Sequence, residues 1–426
     1  MRLLAIAFIW VGCAVAWVIL GTTLVHRTSE VGDALDSQVH ALWGPPGRQY
    51  PPKAVYQVTE ITKETVTTNS AAASPIQQVV ERERQIDRPL LLDGSEISVD
   101  FTLVHRQKGL LWFPTYGVKF EGEYTFKNPS EEQQAVRLSF PLGSQNTSFD
   151  DFHVVDAQGH AVAYRVVGGT ATWESPFEPR ERKRFRVGYR TRGTSSWQYI
   201  MADDASEVRN FELGMTTSFP DVDFPVGTTS PTRHAAHGNR WEGQWRFKSL
   251  IAGSPIGIAM PQLLNPGPLA SRVTFFAPLS LLFFFFVVAI LATVQKREMH
   301  PMHYLLLGCA FFAFHLLFAY LVDRVAVIPS FVIASVVSLF LVVTYARLFV
   351  GWRFALREMG LSQLIYLVLF SLTFFWEGFT GLSVTIGAII TLFVVMQITG
   401  RVDWSSLGTR RRNRTIPAGL AAEPGT

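Results

Sequence analysis

Six apolar stretches set the solvent of every segment in this chain before any motif is read. They run Leu3 to Val25, Thr274 to Val294, His303 to Val322, Val325 to Thr344, Leu361 to Trp376 and Leu382 to Thr399. A helix needs about 20 apolar residues to cross a ~30 Å hydrocarbon core, and each stretch approaches that length, the fifth being the shortest. The pattern predicts an α-helical membrane protein with an N-terminal anchor (residues 1–25) and a C-terminal bundle of five spans (residues 272–400). A basic tail follows (residues 401–426), and one large polar segment lies between anchor and bundle. The first stretch is too long, and its start too weakly charged, for a cleaved signal peptide, so an uncleaved anchor is expected.

Short loops carry the orientation signal. Lys296 and Arg297 follow the second stretch, Arg347, Arg353 and Arg357 follow the fourth, and Arg401, Arg410, Arg411, Arg412 and Arg414 follow the last. The opposite loops hold only Asp323–Arg324 and Glu377–Gly378. Basic loops stay in the cytoplasm. Both termini are therefore expected there, with residues from 26 to 272 exported.

Composition bounds what the exported part can be. The net charge of +4 is small and scattered, which argues against nucleic acid as a partner. Both cysteines, Cys13 and Cys309, lie inside apolar stretches. The polar segment thus has neither a disulfide nor a thiolate metal site.

Val31, Leu35, Val39 and Leu42 have helical spacing and end at Trp43–Gly44–Pro45–Pro46, predicting a membrane-proximal helix. Residues 26–95 are read as this helix plus a linker holding a first strand or two. From Ile97 the period becomes two, most clearly from Val118 to Phe126. The same alternation marks Val136–Phe140, Ala161–Arg165, Phe185–Tyr189, Phe211–Met215 and Trp241–Phe247. Turns are expected at Asn128–Pro129–Ser130, Asp156–Gly159 and Glu178–Pro179–Arg180. Frequent strands without intervening helices predict an all-β, sandwich-like domain over residues 96–268.

No catalytic motif is present, and no catalytic, cofactor-binding or metal-binding residue is assigned. Asp221 and Asp223 form a D-x-D pair near His234 and His237, but beside Pro220 and Pro225 they read as turn formers. Trp173, Trp197, Trp241 and Trp245 fit a sugar-stacking face, yet also fit the inward face of a sandwich, the simpler expectation. In the spans, Pro278 and Pro329 are expected to kink their helices. His315, at mid-span, is a functional candidate by depth alone, or a helix-to-helix hydrogen bond. Glu377 is expected near solvent.

His300–Pro301–Met302–His303–Tyr304–Leu305–Leu306–Leu307–Gly308 is similar to the H-P-M-Q-Y-L-L-V-G stretch of the CreD inner-membrane protein family, and Phe331–Ser335 to part of that family's fourth span. Thr399–Gly400–Arg401–Val402–Asp403–Trp404 looks like its closing T-R-x-x-D-W, with Gly400 departing. Lys108–Leu110, Pro114–Tyr116 and Phe120–Gly122 are similar to its first strands, and Trp43–Pro46 to its W-G-x-P. Where members show a Gly-Pro-hydrophobic-x-x-Pro motif, this chain has Gln49–Tyr50–Pro51–Pro52.

The resemblance implies a bacterial inner-membrane protein linked to envelope integrity and stress response, with no established reaction. Beyond the lipid bilayer, an envelope protein or polymer is the expected partner of the exported domain. The alternative is a transporter or flippase-like role for the bundle, with His315 in its pathway. His300 and Pro301 are expected to start a helix near the headgroups. Asp403 and Trp404, after the last span and on the same side as His300, are expected to form a latch between helix ends with Trp404 as interfacial anchor, or a cytoplasmic docking point.

Overall fold

Alternation between Val118 and Phe126 produces an inner strand of the largest sheet. The computed structural model describes residues 2–68, 76–143, 147–201, 206–295, 297, 299–376, 378 and 380–400. Its described residues divide into two units, 32–263 and 2–31 with those from 264 to 400.

The β unit holds three sheets among its described residues. A three-stranded sheet is built from β1 (Gly47–Gln49), β11 (Ser196–Tyr199) and β15 (Ile256–Ala259). A five-stranded sheet runs β3 (Ile76–Leu90), β2 (Lys53–Thr68), β6 (Gln134–Pro141), β9 (Thr170–Phe177), β8 (Arg165–Val167). The seven-stranded sheet starts with β13 (Arg233–His237), β14 (Arg240–Ala252) and β12 (Ser206–Thr217). It continues with β4 (Leu92–Lys108), β5 (Leu111–Lys127), β10 (Arg182–Thr194) and β7 (Phe149–Asp156). Its pairings are antiparallel except β12 with β4.

One core joins the sheets, as a sandwich requires. Phe120 on β5 stacks on Tyr189 at 4.8 Å and meets Phe140 of the five-stranded sheet at 6.2 Å. Its ring also faces Trp197 of the three-stranded sheet at 6.4 Å. Trp173, Trp197, Trp241 and Trp245 are all buried, so these indoles are core. The turn at Asn128 is tied down by its side-chain amide, which donates to the Glu132 and Glu178 carbonyls.

Two strand expectations need correction. The strand or two expected within the linker are long: Lys53–Thr68 and Ile76–Leu90 pair as the β2–β3 hairpin, so the sheets begin well before residue 96. Past Tyr56 the described part of this hairpin is largely exposed on both faces, and without a buried face no apolar alternation is written into it. Ala161–Arg165 is not a strand; Ala161 makes one isolated bridge to Val155, and Arg165 merely opens β8.

Several polar groups inside the core are paired, although the buried Trp173 Nε1 has no partner among the described residues. Gln49, fully buried, accepts from the Tyr189 hydroxyl at 2.6 Å and donates to the Tyr50 and Pro141 carbonyls at 2.7 and 3.0 Å. Tyr116 donates to the Ser196 carbonyl at 2.7 Å and accepts from the Gly47 amide at 3.0 Å. Burial pushes Tyr116, Tyr124, Tyr189 and Tyr199 well above the ordinary phenol range. In the unfolded chain these phenols ionise first, near pH ~10, so stability is intact below that pH and falls above it. Alkaline titration followed at 295 nm should therefore show these tyrosines ionising together with unfolding. A smooth independent titration before any loss of β structure would contradict this burial.

The second unit contains helices long and apolar enough to cross a membrane, six in the described residues. They are α1 (Arg2–Trp43, shared between the two units), α2 (Pro266–Val294), α3 (Pro301–Leu321) and α4 (Val327–Val350). The last two are α5 (Trp352–Phe375) and α6 (Thr380–Thr399). The anchor and the membrane-proximal helix are thus one helix. At 1.5 Å per residue it spans about 63 Å, roughly twice the hydrocarbon thickness. α5 begins earlier than expected, so Arg353 and Arg357 lie in a helix rather than a loop, and Ala355–Gly360 and Leu364–Leu369 are π-helical. Pro278 lies inside α2, but Pro329 lies in the first turn of α4, where proline breaks no helical hydrogen bond.

Candidate functional site

The outer face of the seven-stranded sheet carries a feature that register alone creates. Asp100 on β4 sits opposite Lys119 on β5, Lys119 opposite Arg190 on β10, and Arg190 opposite Asp150 on β7. Four charges thus cross four strands in one row, all on exposed positions. A single cross-strand pair of this kind contributes only about 0.2–1 kcal/mol to a sheet. Here the row lines a cavity of about 750 Å³. Gly117 and Arg192 line it too, and a Cβ added at Gly117 would meet nothing within 4 Å.

The C-terminal end of α1 forms one wall. Gly44 ends the helix with φ +91°, and its amide donates to the His40 carbonyl at 2.9 Å. Only glycine suits this position, because a Cβ there would lie 2.9 Å from the Arg192 carbonyl oxygen. Thr194 on β10 donates to the Gly44 carbonyl at 3.1 Å. The preceding Trp43 lies under the Arg106 guanidinium at 3.6 Å from its ring centroid, with Arg192 at 6.0 Å. These contacts hold an indole beside the charged row.

The membrane motif residues fall in separate places. His300 is the N-cap of α3, its Nδ1 accepting from the Met302 amide at 3.3 Å, and Pro301 is the first helical residue. His303 hydrogen-bonds the Tyr345 hydroxyl at 2.8 Å and stacks on Phe349 at 4.0 Å, tying α3 to α4. His315 is buried, and its Nδ1 donates to the Phe311 carbonyl of its own helix at 3.2 Å. That corrects the expected bond to a neighbouring helix; Trp17 of α1 instead packs edge-on against the ring at 5.5 Å. Asp403, Trp404 and Glu377 lie outside the described residues.

Sequence reasoning missed the polar link between α3, α4 and α5. Gln363 donates to the Ser338 hydroxyl at 2.8 Å, and Ser338 donates to the Ala310 carbonyl at 2.7 Å. A glutamine within an apolar stretch was the available signal. Arg27 of α1 pairs with Asp323, also donates to the Ala319 carbonyl at 3.3 Å, and lies over the Tyr320 ring. Near Asp221, the His234 ring lies against Trp241, and Asp223 caps the Phe224 amide. Among the described residues no three His, Cys, Asp or Glu side chains are grouped to hold a metal ion.

Residues 238–405 match the family model described as inner membrane protein CreD, so over β14, β15 and the five spans the chain is CreD-like. None of the curated proteins matches it. Among solved structures, a candidate nutrient-binding protein from Legionella pneumophila aligns at 10% identity and TM-score 0.31, covering 63% of this chain and 84% of that one. An M1 zinc metallopeptidase variant from Deinococcus radiodurans aligns at 11% identity and TM-score 0.27, covering 40% and 42%. Likeness at this level carries no argument about function.

Proposed function

We propose that this CreD-like protein is a non-enzymatic component of the bacterial inner membrane that supports envelope integrity or the response to envelope stress. Both termini are cytoplasmic, and the β unit is periplasmic. There it binds a charged envelope component, polymer or protein, in the groove lined by Asp100, Lys119, Arg190 and Asp150. The observation that carries this reading is the in-register row of charges beneath an open cavity of about 750 Å³. Alternative use of the bundle as a transporter rests on His315, whose enclosure by Trp17, Phe311 and Phe314 supports a packing role instead.

Charge removal tests the groove. Lys119 and Arg190 are exposed, so Lys119→Gln with Arg190→Gln, which sets no like charges opposite each other, should leave protein abundance unchanged. Survival under envelope stress should fall at least about tenfold, given that a lost charged contact is worth 1.5–3 kcal/mol. Wild-type survival at wild-type abundance would remove the groove from the function. In a Cys13→Ala, Cys309→Ala background, Asp150→Cys should react with an impermeant thiol reagent from the periplasmic side. Arg353→Cys should react only after lysis, and the reverse pattern would invert the topology.

A further inference from the structure

The membrane unit contains a cavity of about 450 Å³ bounded by α2, α5 and α6, within the size range of small-molecule sites. Its walls are apolar for most of their length, from Phe283 and Val287 to Ile390 and Val394. At hydrocarbon depth such a wall is covered by lipid chains rather than water. One end differs. Arg357 and Glu358 both line it there, close to the end of α2, whose Gln295 donates to Glu358 Oε1 at 3.0 Å. Among the described residues the other carboxylate oxygen, Oε2, is buried and has no hydrogen-bond partner. An unpaired buried carboxylate oxygen is costly unless a donor reaches it.

A guanidinium and a half-paired carboxylate lining the same end of an apolar slot complement a zwitterion with a chain attached. We propose that this cavity holds one phospholipid with an amine headgroup. One of its two acyl chains lies in the cavity between α5 and α6, its phosphate on Arg357 and its ammonium on Glu358 Oε2. Arginine suits the phosphate because its fork can donate two hydrogen bonds to adjacent oxygens. The ammonium supplies the donor that Glu358 lacks, which a glycerol or choline headgroup does not supply as a charged N–H. The π-helical turns of α5 on either side of Ser362 shift its side chains out of ordinary helical register along this wall.

The test uses the full-length protein exchanged into nanodiscs of equal phosphatidylethanolamine and phosphatidylglycerol, then native mass spectrometry of the lipid retained after detergent release. One phosphatidylethanolamine per chain is expected, in preference to phosphatidylglycerol. Glu358→Gln keeps the side-chain size and should reduce that preference about tenfold, the worth of one charge-assisted hydrogen bond. Gly387→Leu should abolish retention of either lipid, since Gly387 lines the cavity and a Cβ there meets nothing within 4 Å, so the larger side chain enters open space. Equal retention of both lipids by the unaltered protein would overturn the proposal. So would an unchanged preference in Glu358→Gln, or undiminished retention in Gly387→Leu.

Discussion

Phe120→Ala lowers the stability of the β unit by about 3–5 kcal/mol, the largest effect expected from any single truncation in this core. The ring is fully buried where the three sheets meet, against Tyr189, Phe140 and Trp197. Its removal loses transfer free energy and leaves a cavity that rigid strands on every side are slow to fill. Urea unfolding of a fragment covering residues 45–263 measures this, with the midpoint in heat falling by roughly 6–20 °C for a unit of this size. Phe120→Leu, which keeps most of the volume, should lose far less, about 1–2 kcal/mol. A Phe120→Ala loss below about 1 kcal/mol would mean the sheets do not share this core. Reductant should leave the fragment's melting unchanged, because it contains no cysteine.

Gln49→Leu is expected to cost about 3 kcal/mol or more, although leucine is apolar and close in size. The substitution strands the Tyr189 hydroxyl and removes both donors to the Tyr50 and Pro141 carbonyls. Each buried group left without a partner is worth about 1–3 kcal/mol. Removing the hydroxyl as well, in Gln49→Leu with Tyr189→Phe, should recover about 1–2 kcal/mol, because no donor is then stranded. A double-mutant cycle on the same fragment reads this coupling. Additivity within about 0.5 kcal/mol would show that Tyr189 and Gln49 do not depend on each other.

Both residues illustrate how far the chain could be read without coordinates. Phe120 falls in the alternating run from Val118 to Phe126, so its inward face follows from the period of the strand alone. Gln49 lies in a stretch read as linker, and nothing local distinguishes it from an exposed glutamine. Its burial arises because β1 pairs in parallel with β11, residues some 150 positions away. Likewise Asp100, Lys119, Arg190 and Asp150 each look like ordinary outward residues of separate strands. They become one row only when four strands adopt their particular register.

Local sequence is enough to mark the membrane spans, because a continuous apolar run has one stable environment whatever it packs against. It also marks the alternating strands with one buried face, and the helix start at His300–Pro301, where capping chemistry is local. The burial of Gln49 and the charged row, by contrast, arise from pairing between strands far apart in the chain. Periodicity reports how each residue meets its own neighbours along the chain. Those two features depend on which distant strands pair, and in what register, information that no local window contains.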